Sequence, residues 1–291
     1  MRRPPIPLCC AFLALAGNAR GADPTSPAGL PPLIQQLTHQ ASQFWGVAPN
    51  WYCRETLRQR GPSQPKQRHG LHFSEPSDAP RSSEMAAREI VSWYGFSSYG
   101  SNSEAIHELR QIVSVDGKPV SGAPSADDFR RLLLARDDDS KHKLVEDFQN
   151  ATIGDAPFDF GQLVMLFTRR SIDRYTFTLK GPDLIGAQRV SVFQYSQQAG
   201  SPGLHLDQNK PIPLAGTLSL RQSDGAPARI TVVATRKDKS EVRDEAEVDY
   251  AEVAHGIILP ASLVHRRFVN GAMHGDDRAQ YADWKPVRDA P

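Results

Sequence analysis

Three stretches decide the fold: VRDEAEVDY at residues 242–250, IILPASLVHRRF at 257–268 and YADWKPV at 281–287. Their side chains alternate broadly between apolar and polar, the period-two signature of strands with one buried and one wetted face. The gaps between them hold His255-Gly256 and Asn270-Gly271, dipeptides suited to tight turns. Strands joined by such short turns pair antiparallel, because a parallel pair needs a long crossover.

The same pattern runs back toward the N-terminus. ITVVAT at 230–235, then Leu214, Leu218 and Leu220, then Val190 and Val192, then Tyr175, Phe177 and Leu179 each read as strands, with Asp224-Gly225 as a further turn. Earlier, Trp51, Cys53 and Leu57 alternate with Tyr52, Arg54, Thr56 and Arg58, again a strand with one wet face. Residues 84–96 and 105–115 read as two longer strands, linked by a turn at Tyr99-Gly100-Ser101-Asn102 and followed by a turn at Asp116-Gly117-Lys118-Pro119. Residues 60–83 are polar and proline-rich and read as a flexible loop.

Three segments change to helical spacing. Leu33, Ile34, Leu37, Ala41 and Phe44 recur as on one helix face; so do Phe129, Leu132, Leu133, Leu144, Val145 and Phe148, interrupted at 137–143 by charge; a third short helix is predicted over 160–167. Helices at the start and in one insertion, with strands elsewhere, give an α+β class. The predicted architecture is a curved antiparallel meander, half-barrel-like, covered on one face by the N-terminal helix and the inserted helical pair. Residues 33–291 read as one α+β domain with a helical insertion at 126–168.

The first 22 residues carry a basic start (Arg2, Arg3), an apolar run at 8–15 and small residues at Ala16, Gly17, Ala19 and Ala22. That is the pattern of a cleavable secretory signal, cut after residue 19 or 22, and its apolar run is too short to span a membrane. Residues 23–32 read as a disordered leader. Cys9 and Cys10 lack the small residues of a lipid-attachment site before them and are expected to be discarded with the signal. Cys53 is then the one thiol left, so no internal disulfide can form. About 270 residues remain, enough for a substantial core. With 34 basic and 33 acidic side chains, the chain has no overall field of one sign to hold nucleic acid or an anionic membrane. No second apolar run approaches spanning length, so a soluble protein of the periplasm or exterior is expected.

Chemistry-bearing patterns are weak. GFSSYG at 95–100 lacks the second glycine of a nucleophile elbow at the required spacing and reads as a polar hairpin turn. His69 and His72 fall in the proline-rich loop, and His39, His107, His142, His205, His255, His265 and His274 show no ligand spacing. Asp137, Asp138 and Asp139 lack the glycine and distal glutamate of a calcium loop and read as a solvated link between helices. Asn150-Ala151-Thr152 matches a glycosylation acceptor. Cys53 should point with Trp51 and Leu57 into the core as a small apolar residue. Glu55 shares that parity, which is odd for a core; it sits at a rim, pairs with an arginine, or marks a cavity mouth. No catalytic residue, metal or cofactor is assigned, and ligand-binding residues and oligomeric state are not legible.

Further segments carry a resemblance. VSVDGKPV at 113–120, followed by a leucine-rich helix and residues 146–154, resembles a group of uncharacterised exported proteins common in acidobacterial genomes. PNWYCRET at 49–56, VDY at 248–250 running through Gly256 to Leu259-Pro260, and AQYADWKPV at 279–287 fit the same pattern. More distantly, the helix-then-meander layout is similar to the half-barrel of periplasmic lipoprotein carriers, the LolA/LolB-like fold. That resemblance implies a curved sheet wrapping apolar cargo beneath helical lids. No carrier residue maps onto this chain position by position.

The expected function is therefore that of a soluble exported binding or carrier-type protein for a lipid or other apolar ligand. The alternative is an envelope interaction or structural protein with a packed interior, whose partner would be another envelope protein. An enzyme is not expected.

Overall fold

The computed structural model of the protein describes residues 30–62, 85–99, 105–153, 159–199, 212–237, 240–254 and 256–288. The signal at 1–22, most of the leader and of the 60–83 loop, the centre of the 99–102 turn, and His69, His72, His205 and His255 lie outside the described residues. The strands are β1 (Trp51–Pro62), β2 (Met85–Ser97), β3 (His107–Val115), β4 (Lys118–Pro119), β5 (Tyr175–Ile185), β6 (Gln188–Gln197), β7 (Leu214–Arg221), β8 (Pro227–Lys237), β9 (Glu241–Ala254), β10 (Ile257–Val269) and β11 (Ala272–Pro286). The helices are α1 (Pro32–Val47), α2 (Ala126–Leu134) and α3 (Asp138–Ala151), with a 3₁₀ segment at Leu163–Phe167.

All eleven strands form one antiparallel sheet in the order β4-β3-β2-β1-β11-β10-β9-β8-β7-β6-β5. The sheet does not close, since β4 and β5 are its two ends, and the result is an open, half-barrel-like α+β fold. Two meanders, β1–β4 and β5–β11, meet where β1 pairs with β11. Backbone turn chemistry supports the predicted hairpins. Asp116 and Gly117 have φ of 51° and 74°, and Asn270 and Gly271 have 50° and 80°. Paired left-handed residues give the turn whose twist matches a two-stranded ribbon. The Asn270 side chain also accepts from the Glu241 N–H at 3.0 Å, tying the β10–β11 turn to the start of β9.

The period-two pattern divides β1 cleanly. Cys53, Glu55, Leu57 and Gln59 are buried on the inner face, while Arg54, Arg58 and Arg60 are exposed on the outer one. Helix α1 lies across the inner face and buries Ile34, Leu37, Ala41 and Phe44, a stripe at helical spacing. They join one core with Leu57, Tyr94, Phe96, Leu218, Ile230, Val248 and Leu259 from the sheet. Each of the larger aliphatic and phenylalanine side chains contributes roughly 1.5–3 kcal/mol by leaving water.

The inserted helices depart from the single-face arrangement expected of them. Phe129 and Leu133 of α2 pack with Tyr52, Leu109 and Val287, a separate cluster on the outer face. Gly95 of β2 makes room for this contact: a Cβ there would stand 3.0 Å from Leu133 and 3.2 Å from the Trp51 carbonyl. Of the segment read as a hairpin turn, residues 95–97 are thus the buried end of β2, and Gly95 serves helix packing. Helix α3 bridges the two clusters. Leu144 belongs to the outer one, Phe148 to the inner one, and Val145 touches both. It lies beside β3, whose only strand neighbour on that side among the described residues, β4, pairs with just Ser114 and Val115. A helix there shields an edge that would otherwise expose unpaired backbone.

The reading of Asp137, Asp138 and Asp139 as a link is corrected. Asp137 is the N-cap of α3, accepting from the Ser140 N–H at 3.1 Å, and the other two occupy its first turn. Acidic side chains satisfy and complement a helix N-terminus, so this charge starts the helix.

Candidate functional site

A cleft of about 330 Å³ opens between α1 and the β9–β10 turn. Its helical wall carries His39, Gln40 and Gln43 beside Phe44 and Val47, and its floor is Val164, Tyr250 and Ile258. Pro227, Gly256 and Ile257 complete the rim. The lining is largely apolar below and amide- and imidazole-bearing above.

Part of the inner face is filled by the chain itself. Leu163, Val164, Met165, Leu166 and Phe167 are all buried between α1 and the sheet. Two polar ties hold this segment in place. The Tyr250 hydroxyl donates to the Gly161 carbonyl at 3.1 Å and accepts from the Val164 N–H at 3.2 Å. Glu108 of β3 accepts from Tyr94 Oη at 2.8 Å, Arg110 Nη2 at 2.8 Å, the Asp159 N–H at 2.9 Å and the Gly161 N–H at 2.5 Å. Asp159 returns the contact, accepting from the Glu108 N–H at 2.9 Å, with His107 Nδ1 at 3.1 Å from its other oxygen.

Behind this knot, Arg110 sits between two carboxylates. Its Nε meets both Glu55 oxygens at 3.0 and 2.8 Å, and its guanidinium carbon lies 5.0 Å from the Tyr94 ring and 4.7 Å from that of Phe148. All three charged side chains are essentially inaccessible to solvent. Burial raises the Glu55 carboxyl above its ordinary range, with Arg110 pulling it back and Glu108 adding to the rise. Burial likewise raises Asp159, opposed by the His107 hydrogen bond. A buried charge needs such pairing to exist at all.

A second buried set lies on β9, β10 and β11. His265 has Asp277 at 3.0 Å from Nδ1 and Asp244 at 3.1 Å from Nε2. Arg267 also donates to Asp244 at 2.7 Å, and Gln59 links Asp277 at 2.9 Å to the Ile153 N–H at 3.1 Å. Burial opposes a charge on His265, but the two aspartates overcome it and lift its pKa to about 9. The ring is an imidazolium with both protons committed, so it does not act as a neutral base.

The fold is similar to known structures. One is a DUF1329 family protein from Desulfovibrio piger, with 7% identity, a TM-score of 0.37, and 87% of this chain and 92% of that one covered. Another is a putative outer membrane lipoprotein-sorting protein domain from Vibrio parahaemolyticus, with 9% identity, a TM-score of 0.35 and coverage of 85% and 91%. A third is a LolA superfamily protein from Nitrosomonas europaea, with 10% identity, a TM-score of 0.33 and coverage of 89% and 94%. No family model and no curated protein matches the sequence.

Of the residues singled out by sequence, Cys53 is buried as expected, and burial, followed by Glu55, pushes its thiol well above the ordinary range. A thiol so raised is a poor nucleophile. Glu55 takes the second of its three readings and pairs with an arginine, deep in the core. His39 lines the cleft, whereas His107 and His265 belong to the buried knots. Among the described residues no helix is long and apolar enough to cross a membrane. The cleft itself had no linear signal, because its lining comes from α1, the 3₁₀ segment and the β8–β10 region, joined only by folding.

Proposed function

We propose that this is an exported, non-enzymatic carrier-type binding protein that takes the apolar chain of a lipid-like ligand in the cleft beside α1. The observation that carries the reading is the cleft's composition, an apolar floor with His39, Gln40 and Gln43 on one wall. Export rests on the signal pattern of the first 22 residues. Native mass spectrometry of the purified protein, with solvent extraction, is expected to find a co-purifying lipid. A Gln43→Trp change reaches the cleft from an exposed helix position and should weaken a fluorescent fatty-acid probe by about tenfold or more. No extracted lipid together with no probe binding would sink the reading.

One observation favours a second reading, an envelope interaction protein with a packed interior. Leu163–Phe167 is buried on the inner face beside α1, taking up space that a carrier would leave to cargo. On that reading the probe binds neither the wild type nor Gln43→Trp, and affinity capture brings down a stoichiometric envelope protein.

A further inference from the structure

On the outer face, where the two meanders meet, the register sets arginines side by side. Arg58 of β1 stands directly opposite Arg278 of β11, and Arg60 stands opposite Asp276, which in turn faces Arg266 of β10. Arg54 continues the row along β1 with its guanidinium 5.7 Å from the Trp93 ring. These are solvent-facing side chains: Arg58 is 69% exposed, Arg278 60% and Arg266 43%. Two carboxylates temper the group, Glu89 on Arg58 at 2.9 Å and Asp276 on Arg278 and Arg266 at 3.3 and 3.6 Å. Glu245 of β9 faces Arg266 on its other side, so five arginines stand against three acids, a net positive patch on a chain that is nearly neutral as a whole. Like charges directly across a strand pair destabilise a sheet, so Arg58 facing Arg278 is a local cost set against the ion pairs that each makes with Glu89 and Asp276.

We infer that this outer face is a docking surface for an anionic phospholipid bilayer. Guanidinium groups match phosphate in a fork geometry and keep their charge at any physiological pH. A peptide partner fits the site less well. The backbone of β1, β11 and β10 is already paired on both sides, so a chain cannot add as a strand. Apolar tips flank the arginines at one end of the sheet. Met85, opposite Pro62 next to Arg60, and Met273 by the β10–β11 turn are 41% and 47% exposed. Charge plus a shallow apolar anchor is the two-part signal that reversible surface binding requires. The inference does not rest on the cleft, since the two lie on opposite faces.

Vesicle sedimentation tests it, using protein expressed with its own leader and purified in the form the host releases. Binding is expected to vesicles of phosphatidylglycerol and phosphatidylethanolamine, to be weak on phosphatidylcholine alone, and to fall as salt rises. The double change Arg58→Glu and Arg278→Glu should lower partitioning by about tenfold or more. The milder Arg58→Gln and Arg278→Gln pair should give an intermediate loss, which guards against misfolding of the reversal variant. Lys180→Glu, on the exposed and distant β5, should leave partitioning near wild type. Equal binding to neutral vesicles, or equal loss from Lys180→Glu, overturns the inference. So does indifference to both arginine pairs, or capture by soluble polyglutamate with no vesicle binding. Loss of the fatty-acid probe with vesicle binding intact would instead count against the cleft reading alone.

Discussion

At the scale of single residues, the buried ions are the most consequential feature, and His265 shows how their effect can be read from pH. Its folded pKa is about 9 against an ordinary value of 6.5. Below pH 6.5 folded and unfolded chains both hold the proton, and the stabilisation is complete. Between 6.5 and 9 only the folded chain holds it, so stability falls by up to about 1.4 kcal/mol per pH unit, and the contribution is gone above 9. His265→Gln is therefore expected to be less stable than wild type at pH 6, with urea midpoints nearly flat from pH 6.5 to 9 where those of wild type decline. The same decline in both proteins would show that the two aspartates do not hold the proton. Glu55 was legible as an anomaly, a carboxylate on the buried parity of β1. Its partner was not, because Arg110 lies 55 residues away and no spacing rule connects them. His265 looked like one scattered histidine for the same reason: its aspartates are supplied by strand pairing.

At the scale of elements, the segment from Asp159 to Phe167 decides what the inner face can hold. Sequence pattern marked 160–167 as a third short helix, and the helical part is a 3₁₀ stretch at Leu163–Phe167. Five consecutive buried residues have no polar side to turn outward, so the segment forms a short 3₁₀ stretch enclosed on all sides. What could not be read was its anchoring by Glu108, whose bonds to Asp159 and Gly161 span 51 and 53 residues. Asp159 also adopts a φ of 59°, a conformation Asp tolerates better than most residues. Asp159→Ala leaves the Glu108 N–H and His107 without their acceptor, a loss of about 1–3 kcal/mol confined to this tie. Hydrogen exchange of amides in 160–167 should then speed by about tenfold or more, with β8, β9 and β10 still protected. Uniform acceleration across the sheet would mean that the segment is not a separable unit.

At the scale of the whole molecule, alternation in the sequence announced an antiparallel meander but not that there are two, nor how they join. The insertion carrying α2, α3 and the 3₁₀ segment separates β4 from β5, and β11 returns to lie against β1. That same join creates the arginine face. Arg54 and Arg58 were readable as a wet face of one strand, whereas their approach to Arg278 and Arg266 depends on a pairing across more than 200 residues. The arrangement makes the last strand a central one. β11 supplies Tyr281 and Ala279 to the core, Asp277 to His265 and Gln59, and the Trp284 N–H to the Pro260 carbonyl at 3.1 Å. A chain ending at residue 271 would leave β1 and β10 with unpaired edges in the middle of the sheet and His265 without one of its carboxylates. Neither meander could then cover its inner face alone, because α1 and the Leu163–Phe167 segment pack against both. Removing residues 272–291 is therefore expected to abolish the cooperative unfolding transition and the near-ultraviolet dichroism, and to open the chain to proteolysis. Removing only 288–291, beyond β11, should leave all three as in wild type. A truncated 1–271 chain that still unfolds cooperatively would show that the two meanders fold independently, and the β1–β11 pairing would then be a docked contact between two folded units.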